Sequence, residues 1–188
     1  LLKANIPIDA SKAASILRNR KGVGGAELGL ANEMAINQFI AHHSVIFQPE
    51  KKLMWVSTSP WQCGKYVAYD LNRIFSDSID FNHEIYTGDL TLPADSFLQQ
   101  QEYQQLMTYK RLAPVLRKQI KKKERLDEQT LHAFQHANPH FFYVYELLGD
   151  YYHATGQQDK ALRNWKKALL LPIPKRSESE RIEHKINN

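Results

Sequence analysis

Cys63, the one cysteine of the 188-residue chain, is the first side chain to consider for covalent chemistry. A cysteine thiolate attacks acyl carbonyls readily once a nearby base has taken its proton. Cys63 lies in mid-chain between Gln62 and Gly64. Its own α-amine could act as the base only if the chain were cleaved just before it, and this cleavage would cut the sheet that the surrounding residues predict. We therefore expect Cys63 to be a packing or loop residue, and we predict no catalytic residue in this chain.

Eight histidines raise the question of a metal site. His132 and His136 have the i, i+4 spacing with which two imidazoles on one helix face can share a metal. No glutamate or cysteine follows at the third or fourth position to complete a strong motif. His42 and His43 are adjacent, so on a strand they would point to opposite faces, and we expect one of them within the sheet. We predict no bound metal and no cofactor.

Four glycines fall within the loop Gly22–Gly29. Glycine-rich loops can cradle phosphate groups with their backbone N–H groups. This one has neither a GxxxxGK[ST] nor a GxGxxG frame and does not follow a clear strand. We expect a mobile loop that borders a substrate cleft instead.

A tight antiparallel hairpin is predicted in the middle of the first half of the chain. His43–Phe47 and Leu53–Thr58 are short runs rich in β-branched and aromatic residues, and the QPEKK between them is typical of a turn. Their apolar residues are continuous rather than alternating, which predicts strands covered on both faces. Lys65–Phe75 is predicted to be a further strand that ends in either a loop or a helical turn. Before the hairpin, Ile8–Arg20 is predicted to be helical, with Asp9 or Ser11 as its N-cap.

The segment AINQFIAHHSVIFQPEKKLMWVSTSPWQCGKYVAYDL, residues 35 to 71, resembles the C-terminal half of the cysteine-type N-terminal-nucleophile (Ntn) hydrolases. It is similar above all to the acyl-CoA:6-aminopenicillanic acid acyltransferase-like proteins, which are related to the choloylglycine hydrolases and acid ceramidases. The resemblance extends over residues 1 to 110 and is specific between Ala35 and Leu71. It implies an α+β fold that contains the C-terminal part of a four-layer αββα sandwich, and an activity on linear amide C–N bonds.

In such a family the nucleophile is a cysteine that becomes the first residue after self-cleavage. Its α-amine, with an ordinary pKa of about 7.7–8.0, serves as the general base. The resemblance implies that this cysteine, the oxyanion-binding asparagines and the positioning arginine and aspartate lie upstream of Leu1. We therefore expect residues 1–92 to be half of the catalytic domain, inactive alone. Its partners would be the N-terminal part of the same enzyme and a small acyl amide or acyl thioester. The loop Gly22–Gly29 and the turn Pro60–Gly64 would contribute to the pocket.

The remaining residues, 93–188, are predicted to form a helical extension. One helix would start near Pro93, capped by Asp95 or Ser96, and run to Lys123 with a kink or break at Pro114. Leu126–His136 would be a second helix, started by Asp127. A single tetratricopeptide unit is resembled by residues 145–174, YELLGDYYHATGQQDKALRNWKKALLLPIP. Its helical hairpin is expected at about residues 141–171. The alternative function is therefore a helical protein-interaction module whose β part is only a support.

The predicted packing face of the first of these helices consists of Leu98, Tyr103, Leu106, Met107, Leu112, Val115 and Leu116. In the tetratricopeptide pattern Gly149 and Ala161 are small where two helices cross, and Gly156 lies in the turn. A single unit needs neighbours to bury its faces, so we expect it to pack on Phe97–His136 or on the rest of the enzyme.

The composition is that of an ordinary globular chain, with 43% hydrophobic and 24% charged residues. No apolar run approaches the ~20 residues that cross a bilayer. The net charge of +5 lies in the second half: residues 1–95 carry 9 basic and 10 acidic side chains, and residues 96–188 carry 16 and 10. Most of the excess lies in residues 110–125, as a patch for nucleic acid or an anionic membrane, or as the solvated end of a helix. We favour the second and predict no nucleic-acid partner; the substrate, self-association and the compartment stay open.

Overall fold

The computed structural model describes residues 8–76, 82 and 84–187, and within them the chain is α+β, as expected. It divides into two compact units. Unit 1 comprises Leu1–Arg20 and Ile36–Leu98, and unit 2 comprises Lys21–Ala35 and Gln99–Asn188. The strands are β1 (Val45–Gln48), β2 (Leu53–Ser57) and β3 (Tyr66–Asp70); the α-helices are α1 (Ala10–Leu17), α2 (Leu71–Ile74), α3 (Gln101–Lys122), α4 (Glu128–Ala137), α5 (Phe142–Ala154), α6 (Gln158–Leu169) and α7 (Arg176–Asn187).

The predicted hairpin is confirmed as β1 and β2, and β3 extends it to an antiparallel sheet of order β1-β2-β3. The register aligns Ile46 with Trp55 and Trp55 with Ala68. A short 3-10 turn over Pro49–Lys51 connects the first two strands, and Lys52 then takes a left-handed φ of 53°. Because side chains alternate along a strand, this register decides which residues share each face of the sheet.

Helix α1 covers one face of the sheet. The carboxylate of Asp9 caps the helix by accepting the backbone N–H of Lys12 at 2.7 Å, as predicted. From this helix the small residue Ala14 packs into a buried cluster with the central residues of the three strands, namely Ile46, Trp55, Tyr66 and Ala68. This cluster is the core of unit 1.

The opposite face of the sheet is apolar, exposed along β1 and half-buried along β2 and β3, so the prediction that both faces are covered is wrong at β1. Val45 aligns with Val56 and Val67, and Phe47 aligns with Met54 and Tyr69. Val45 is 37% exposed and Phe47 is 63% exposed. The continuous apolar runs arise because one set of residues faces α1 and the alternate set faces outward.

The outer edge of β3 is covered by the chain that follows it. Tyr66 and Leu92 exchange backbone hydrogen bonds of 3.1 and 2.9 Å, and Thr87 donates its N–H to the carbonyl of Ala68 at 2.8 Å. After β3 the chain turns into the short helix α2, so the helical turn is the correct alternative. The chain that leads to Leu92 contains a 3-10 turn at Gly88–Leu90.

Unit 2 is helical. Helix α3 runs through Pro114, which lies on its exposed side, so the predicted break does not occur. The predicted packing face is partly wrong, since Met107 and Val115 are each 38% exposed. The residues of α3 that are buried are Leu106, Tyr109, Leu112, Ala113 and Leu116. Among the helices the structure describes, none is both long and apolar enough for a bilayer crossing.

Helices α5 and α6 form the predicted hairpin, and α5 packs on α3 and α4. A Cβ at Gly149 would overlap the indole of Trp165, so the glycine permits the close crossing of the two helices. Ala161 is fully buried at the same crossing, and Gly156 turns the chain with a φ of 77°. Helix α7, which the sequence pattern does not predict, packs on α6.

The loop Gly22–Gly29 belongs to unit 2 and is fixed at its C-terminal end. The side chain of Asn138 accepts the N–H of Leu30 at 2.9 Å and donates to its carbonyl at 2.7 Å. Gly29, with a φ of 77°, lies so close to the backbone of Phe141 that a side chain would not fit. Farther back in the loop, Val23 is fully exposed.

Candidate functional site

Cys63 lies within unit 1, inside the turn Pro60–Gly64. Its side chain is fully buried. The amide of Asn37, also fully buried, donates to Cys63 Sγ at 3.4 Å and to the carbonyl of Trp61 at 3.2 Å. The other amide atom, Asn37 Oδ1, accepts the N–H of Phe39 at 3.0 Å. The segment that contains Asn37 is therefore fastened directly to the turn that contains the thiol.

Burial raises the pKa of the Cys63 thiol above its ordinary value of 9.0, and the negative charge of Asp95 raises it further. The Asn37 hydrogen bond and the charges of Arg20 and Arg18 oppose this but do not reverse it. A nucleophilic cysteine needs the opposite environment, which favours the thiolate. Cys63 is thus held as a neutral thiol at neutral pH.

Arg18 binds the backbone of the same turn. Its guanidinium donates to three carbonyl oxygens, those of Gln62 at 3.3 Å, Gly64 at 2.7 Å and Pro93 at 2.8 Å. The guanidinium also lies 5.1 Å from the centre of the Tyr66 ring. Because its five N–H groups are fixed in a plane, an arginine can hold several carbonyls at set positions. Arg18 thereby connects the end of α1 to both sides of the turn.

Arg20 and Asp95 form a second connection. Arg20 Nη1 lies 2.6 Å from Asp95 Oδ2, with both side chains largely buried, and its guanidinium lies 4.2 Å from the centre of the Phe97 ring. The backbone N–H of Asp95 donates to the carbonyl of Cys63 at 2.8 Å, and Asp95 Oδ1 accepts the N–H of Phe97 at 2.9 Å. The carboxylate therefore sits against the cysteine turn with a defined orientation.

The backbone held by these contacts is strained. Trp61 and Gln62 have φ angles of 44° and 67°, and Phe39 has a φ of 54°. L-residues with large side chains rarely adopt this region, and it costs of order 1–3 kcal/mol where it occurs. Next in the turn, a Cβ at Gly64 would overlap atoms of Thr58 and Ser59. Such strain persists only where surrounding contacts fix the backbone, as Arg18 and Asn37 do here.

Three hydroxyl groups lie beside this junction. Ser57 Oγ accepts the backbone N–H of Ser44 at 2.7 Å, and its oxygen lies 3.4 Å from Ser44 Oγ. Ser44 Oγ also hydrogen-bonds Tyr66 Oη. Burial raises the pKa of the Tyr66 hydroxyl, so this group stays neutral and contributes no charge to the junction.

Chemically, this arrangement positions a turn and does not activate a nucleophile. The buried thiol has the amide of Asn37 as a donor, and the charge of the nearby Asp95 carboxylate opposes loss of its proton. The turn Pro60–Gly64, which was expected to border a pocket, is held in place by these contacts. Of the residues that hold this turn, Arg18, Arg20 and Asn37 were not selected by sequence reasoning, and Asp95 was selected only as a helix cap. They act on carbonyls and side chains far away in the chain, and no local pattern indicates such contacts.

The other candidates are placed elsewhere. The loop Gly22–Gly29 falls in unit 2. His132 and His136 stack with ring centres 3.8 Å apart on the exposed side of α4. His42 and His43 precede β1 and are exposed, so their expected place within the sheet is wrong. Among residues 8–76, 82 and 84–187, no three His, Cys, Asp or Glu side chains come together as a metal would require.

Comparisons of the chain with known protein families, with curated proteins and with solved structures find no match in any of the three.

Proposed function

We propose that this chain is the C-terminal part of a linear amide C–N hydrolase or acyltransferase that acts through an N-terminal cysteine encoded upstream. The observation that carries the proposal is the sheet of unit 1, which has one face covered by α1 and the other face apolar and open along β1. The resemblance of residues 35–71 to the cysteine-type Ntn hydrolases supports the same conclusion from the sequence.

The two faces match one half of an αββα sandwich. In such a sandwich each sheet packs helices on its outer face and the second sheet on its inner face. Here Ile46, Trp55 and Ala68 face α1, while Val45 and Phe47 on the other face are exposed. A chain that kept this sheet in water would leave large apolar side chains in contact with solvent. A second sheet from the upstream part would cover them.

The free edge of the sheet agrees with an additional strand there. Ser57 donates its backbone N–H to the carbonyl of Ser44 at 2.9 Å, so these two residues form a hydrogen-bonded pair. Because such pairs alternate along an antiparallel ladder, the N–H and C=O groups of Val45 and Phe47 point away from β2. The described residues cover the opposite edge, at β3, but pair none of these four groups. Val45 and Phe47, whose side chains are exposed, thus also have unpaired backbone N–H and C=O groups.

The proposed reaction takes place on the upstream cysteine. Its thiolate, formed by proton transfer to its own α-amine, adds to the amide carbonyl. The C–N bond then breaks, the proton passes to the leaving amine, and a thioester remains. Water converts the thioester to the carboxylic acid and restores the thiol; a second amine instead forms a new amide. An acyl thioester enters the same cycle by exchanging its acyl group with the cysteine and releasing the other thiol.

This chain contributes structure to that site. The turn Pro60–Gly64, fixed by Arg18 and Asn37, is proposed to form part of the wall around the acyl or amine group. Strained and tightly held turns are suited to this because their backbone does not adjust when a ligand binds. Cys63 serves to pack the turn, and the nucleophile is a different cysteine.

The proposal is tested by producing the chain alone and together with the polypeptide encoded immediately before it. We expect the chain alone to aggregate or to bind a hydrophobic dye, and the pair to co-purify as a stable complex. In the complex, iodoacetamide should label a fragment that begins with cysteine and should leave Cys63 unmodified. Labelling should abolish release of nitroaniline from a chromogenic acyl anilide, whereas Cys63→Ala should retain that activity.

A matched pair of substitutions identifies the surface involved. Phe47→Lys places a charge on the open face, so it should prevent co-purification while leaving the helical content of the chain unchanged. Glu50→Lys, which changes an exposed residue in the turn between β1 and β2, should have no effect on assembly. Assembly that tolerates Phe47→Lys as well as Glu50→Lys would refute the role of the open face.

The alternative, a helical interaction module, makes a different prediction. It predicts that the chain alone is a monomer that unfolds cooperatively and needs no companion. We rank it second because the hairpin of α5 and α6 packs its large side chains, among them Tyr145, Leu148 and Trp165, inside unit 2. This alternative would be favoured over the enzyme if the chain alone is a stable monomer, binds no hydrophobic dye and has no upstream cysteine fragment as a companion.

A further inference from the structure

We propose that the exposed face of α3 is a docking surface for an anionic lipid bilayer. The face, here called the α3 basic face, follows the spacing of one side of a helix and consists of Met107, Arg111, Val115, Lys118 and Lys122. Arg117 and Lys121 lie beside it, and Lys123 and Arg125 continue the positive charge past the end of the helix. This proposal concerns unit 2 alone and does not depend on the proposed function.

The side of α3 that carries these cations is opposite its buried side. Leu106, Tyr109, Leu112, Ala113 and Leu116 are buried, whereas Arg111, Lys118 and Lys122 are all exposed. The cations are therefore not used in the packing of unit 2. Along the helix axis, Arg111 and Lys122 are about 16 Å apart at the usual rise per residue, so the face can contact several lipid headgroups at once.

These cations are poorly balanced by neighbouring carboxylates. In the described part of the chain, Lys122 approaches Glu124 at 3.6 Å, and no ion pair forms at Arg111, Lys118 or Lys121. Helix α3 has one acidic residue in its first turn, Glu102, and none after it. The positive field of the face is thus available to an external anion.

The helix itself does not account for this arrangement. Cations in the last turn, Lys121 and Lys122, are favoured by the helix dipole, but the effect fades within that turn. Arg111 and Lys118 lie farther back. Lys118 and Lys122 also stand at i, i+4, where two like charges destabilise a helix. Arg111 and Lys118 are therefore available to an external anionic partner.

The apolar side chains among the cations favour a lipid surface over a nucleic acid. Met107 and Val115 are each 38% exposed and alternate with the basic residues along the face. An interfacial helix places such side chains at the boundary of headgroups and acyl chains while its lysines and arginines contact anionic headgroups. A surface for single-stranded nucleic acid would instead gain from exposed aromatic rings that stack on bases, and the described α3 basic face carries none. A duplex is bound through its phosphates and would gain nothing from Met107 and Val115.

The test measures binding to vesicles. The full protein, with any companion polypeptide that co-purifies with it, is mixed with 100 nm vesicles of phosphatidylcholine alone or with about a third phosphatidylserine, and bound protein is separated by sedimentation. We expect binding only to the anionic vesicles, and loss of binding when NaCl is raised from 50 to 500 mM. The triple variant Arg111→Gln, Lys118→Gln, Lys122→Gln should bind about 100-fold more weakly, since each surface cation contributes roughly tenfold or less.

Two further variants make the result specific. Arg163→Gln, Lys166→Gln, Arg176→Gln removes the same net charge from exposed positions on α6 and α7 and should leave most of the binding intact. Met107→Gln with Val115→Thr keeps every charge and should weaken vesicle binding about tenfold by removing the apolar contacts. Circular dichroism should show unchanged helicity in all three, because the altered side chains are exposed.

Three outcomes would overturn the proposal. The first is no binding to anionic vesicles at 50 mM NaCl. The second is an equal loss of binding in the control variant on α6 and α7, which would reduce the effect to net charge. The third is binding to a duplex DNA probe that exceeds vesicle binding and is unaffected by Met107→Gln with Val115→Thr; this would identify a nucleic-acid surface.

Discussion

Arg181 holds both oxygens of the Glu146 carboxylate with one edge of its guanidinium: Nε donates to Oε1 and Nη2 to Oε2, each at 2.8 Å. Lys185, one turn later in α7, donates to Glu146 Oε1 at 2.7 Å and to both oxygens of Asp150 at 2.8 and 2.9 Å. Glu146 is 2% exposed, whereas Arg181 is 48% exposed. Ile182 is the one residue of α7 that is fully buried among those described, so these charges account for much of the attachment of the helix.

The unequal burial of the two partners gives the first prediction. Arg181→Ala with Lys185→Ala would leave a buried carboxylate without its cations, which costs about 3–5 kcal/mol. Glu146→Gln removes the charge from the buried side, and the cations can turn to water, so it should cost about half as much. Urea denaturation measures both. As a control, Glu180→Gln removes the exposed partner of Arg176 and should change stability by less than about 0.5 kcal/mol. Equal losses in the two cluster variants would contradict the burial argument.

The same cluster predicts a stability that depends on acid. Burial by itself would raise the pKa of Glu146, but the hydrogen bonds from Arg181 and Lys185 outweigh it and leave the pKa below its ordinary value of 4.5. A carboxyl group whose pKa is lowered by folding stabilises the fold above the unfolded value, and this contribution is lost as the pH falls through the folded value. The urea midpoint should therefore decline between pH 5 and pH 3.

Glu146→Gln is the internal test of that decline. The variant should be less stable at pH 7 but should lose less of its stability on acidification. If its urea midpoint falls as steeply as that of the parent protein, another carboxylate is responsible.

Gly149 gives a prediction about the hairpin of α5 and α6. Gly149→Ala would drive the new methyl group into the indole of Trp165, whose Nε1 donates to Asp150 at 2.9 Å. Overpacking of this kind costs about 1–3 kcal/mol, against the gain of about 1 kcal/mol that alanine usually brings to a helix in place of glycine, so we expect a net loss of up to about 2 kcal/mol. The matched control is Gly156→Asn in the turn, where no atom lies within 4 Å of the added Cβ and asparagine tolerates the left-handed φ of 77°. The melting temperature should fall for Gly149→Ala and change little for Gly156→Asn. Equal falls in the two variants would contradict the close crossing of α5 and α6.

Cys63 gives a prediction that distinguishes a packing thiol from a reactive one. At pH 8 its alkylation by iodoacetamide should be about 100-fold slower in the folded protein than in denaturant, because the thiol is buried and neutral. Since burial raises its pKa above 9.0, the unfolded thiol ionises first, and stability should fall as the pH rises past about 9. Cys63→Ala should remove that alkaline decline and cost about 1 kcal/mol. Rapid alkylation of the folded protein would show that Cys63 is reactive after all.

Local sequence signals predicted the elements that local chemistry determines. Asp9 and Asp127 each cap a helix by accepting a backbone N–H three residues on, and both were identified as caps from the sequence. The hairpin follows from two β-rich runs with Pro49 between them. The hairpin of α5 and α6 follows from small residues at fixed spacing, Gly149 and Ala161. Each signal lies within about ten residues of the element that it predicts.

The remaining features depend on distant contacts or on solvent. Arg18 reaches carbonyls 44 to 75 residues away, and no local pattern encodes such a bond. Helix α7 buries little apolar surface, so it lacks the periodicity that predicts a helix. Pro114 is tolerated because it faces water, where the carbonyl that it leaves unbonded can be hydrated. The sequence does not show which face of the sheet is exposed, because Val45 and Phe47 are as apolar as the residues that face α1.

Residues 21–35 belong to unit 2, although the chain on either side of them belongs to unit 1. This limits how the protein can be divided into separate polypeptides. Their anchors, Asn138 and the backbone of Phe141, are more than a hundred residues further along the chain. Producing residues 1–98 and residues 99–188 as separate polypeptides would therefore keep this segment from its anchors and remove it from the helices that it completes. Limited proteolysis at that junction should yield two pieces that stay associated until denatured, and neither half should be obtainable intact by simple truncation.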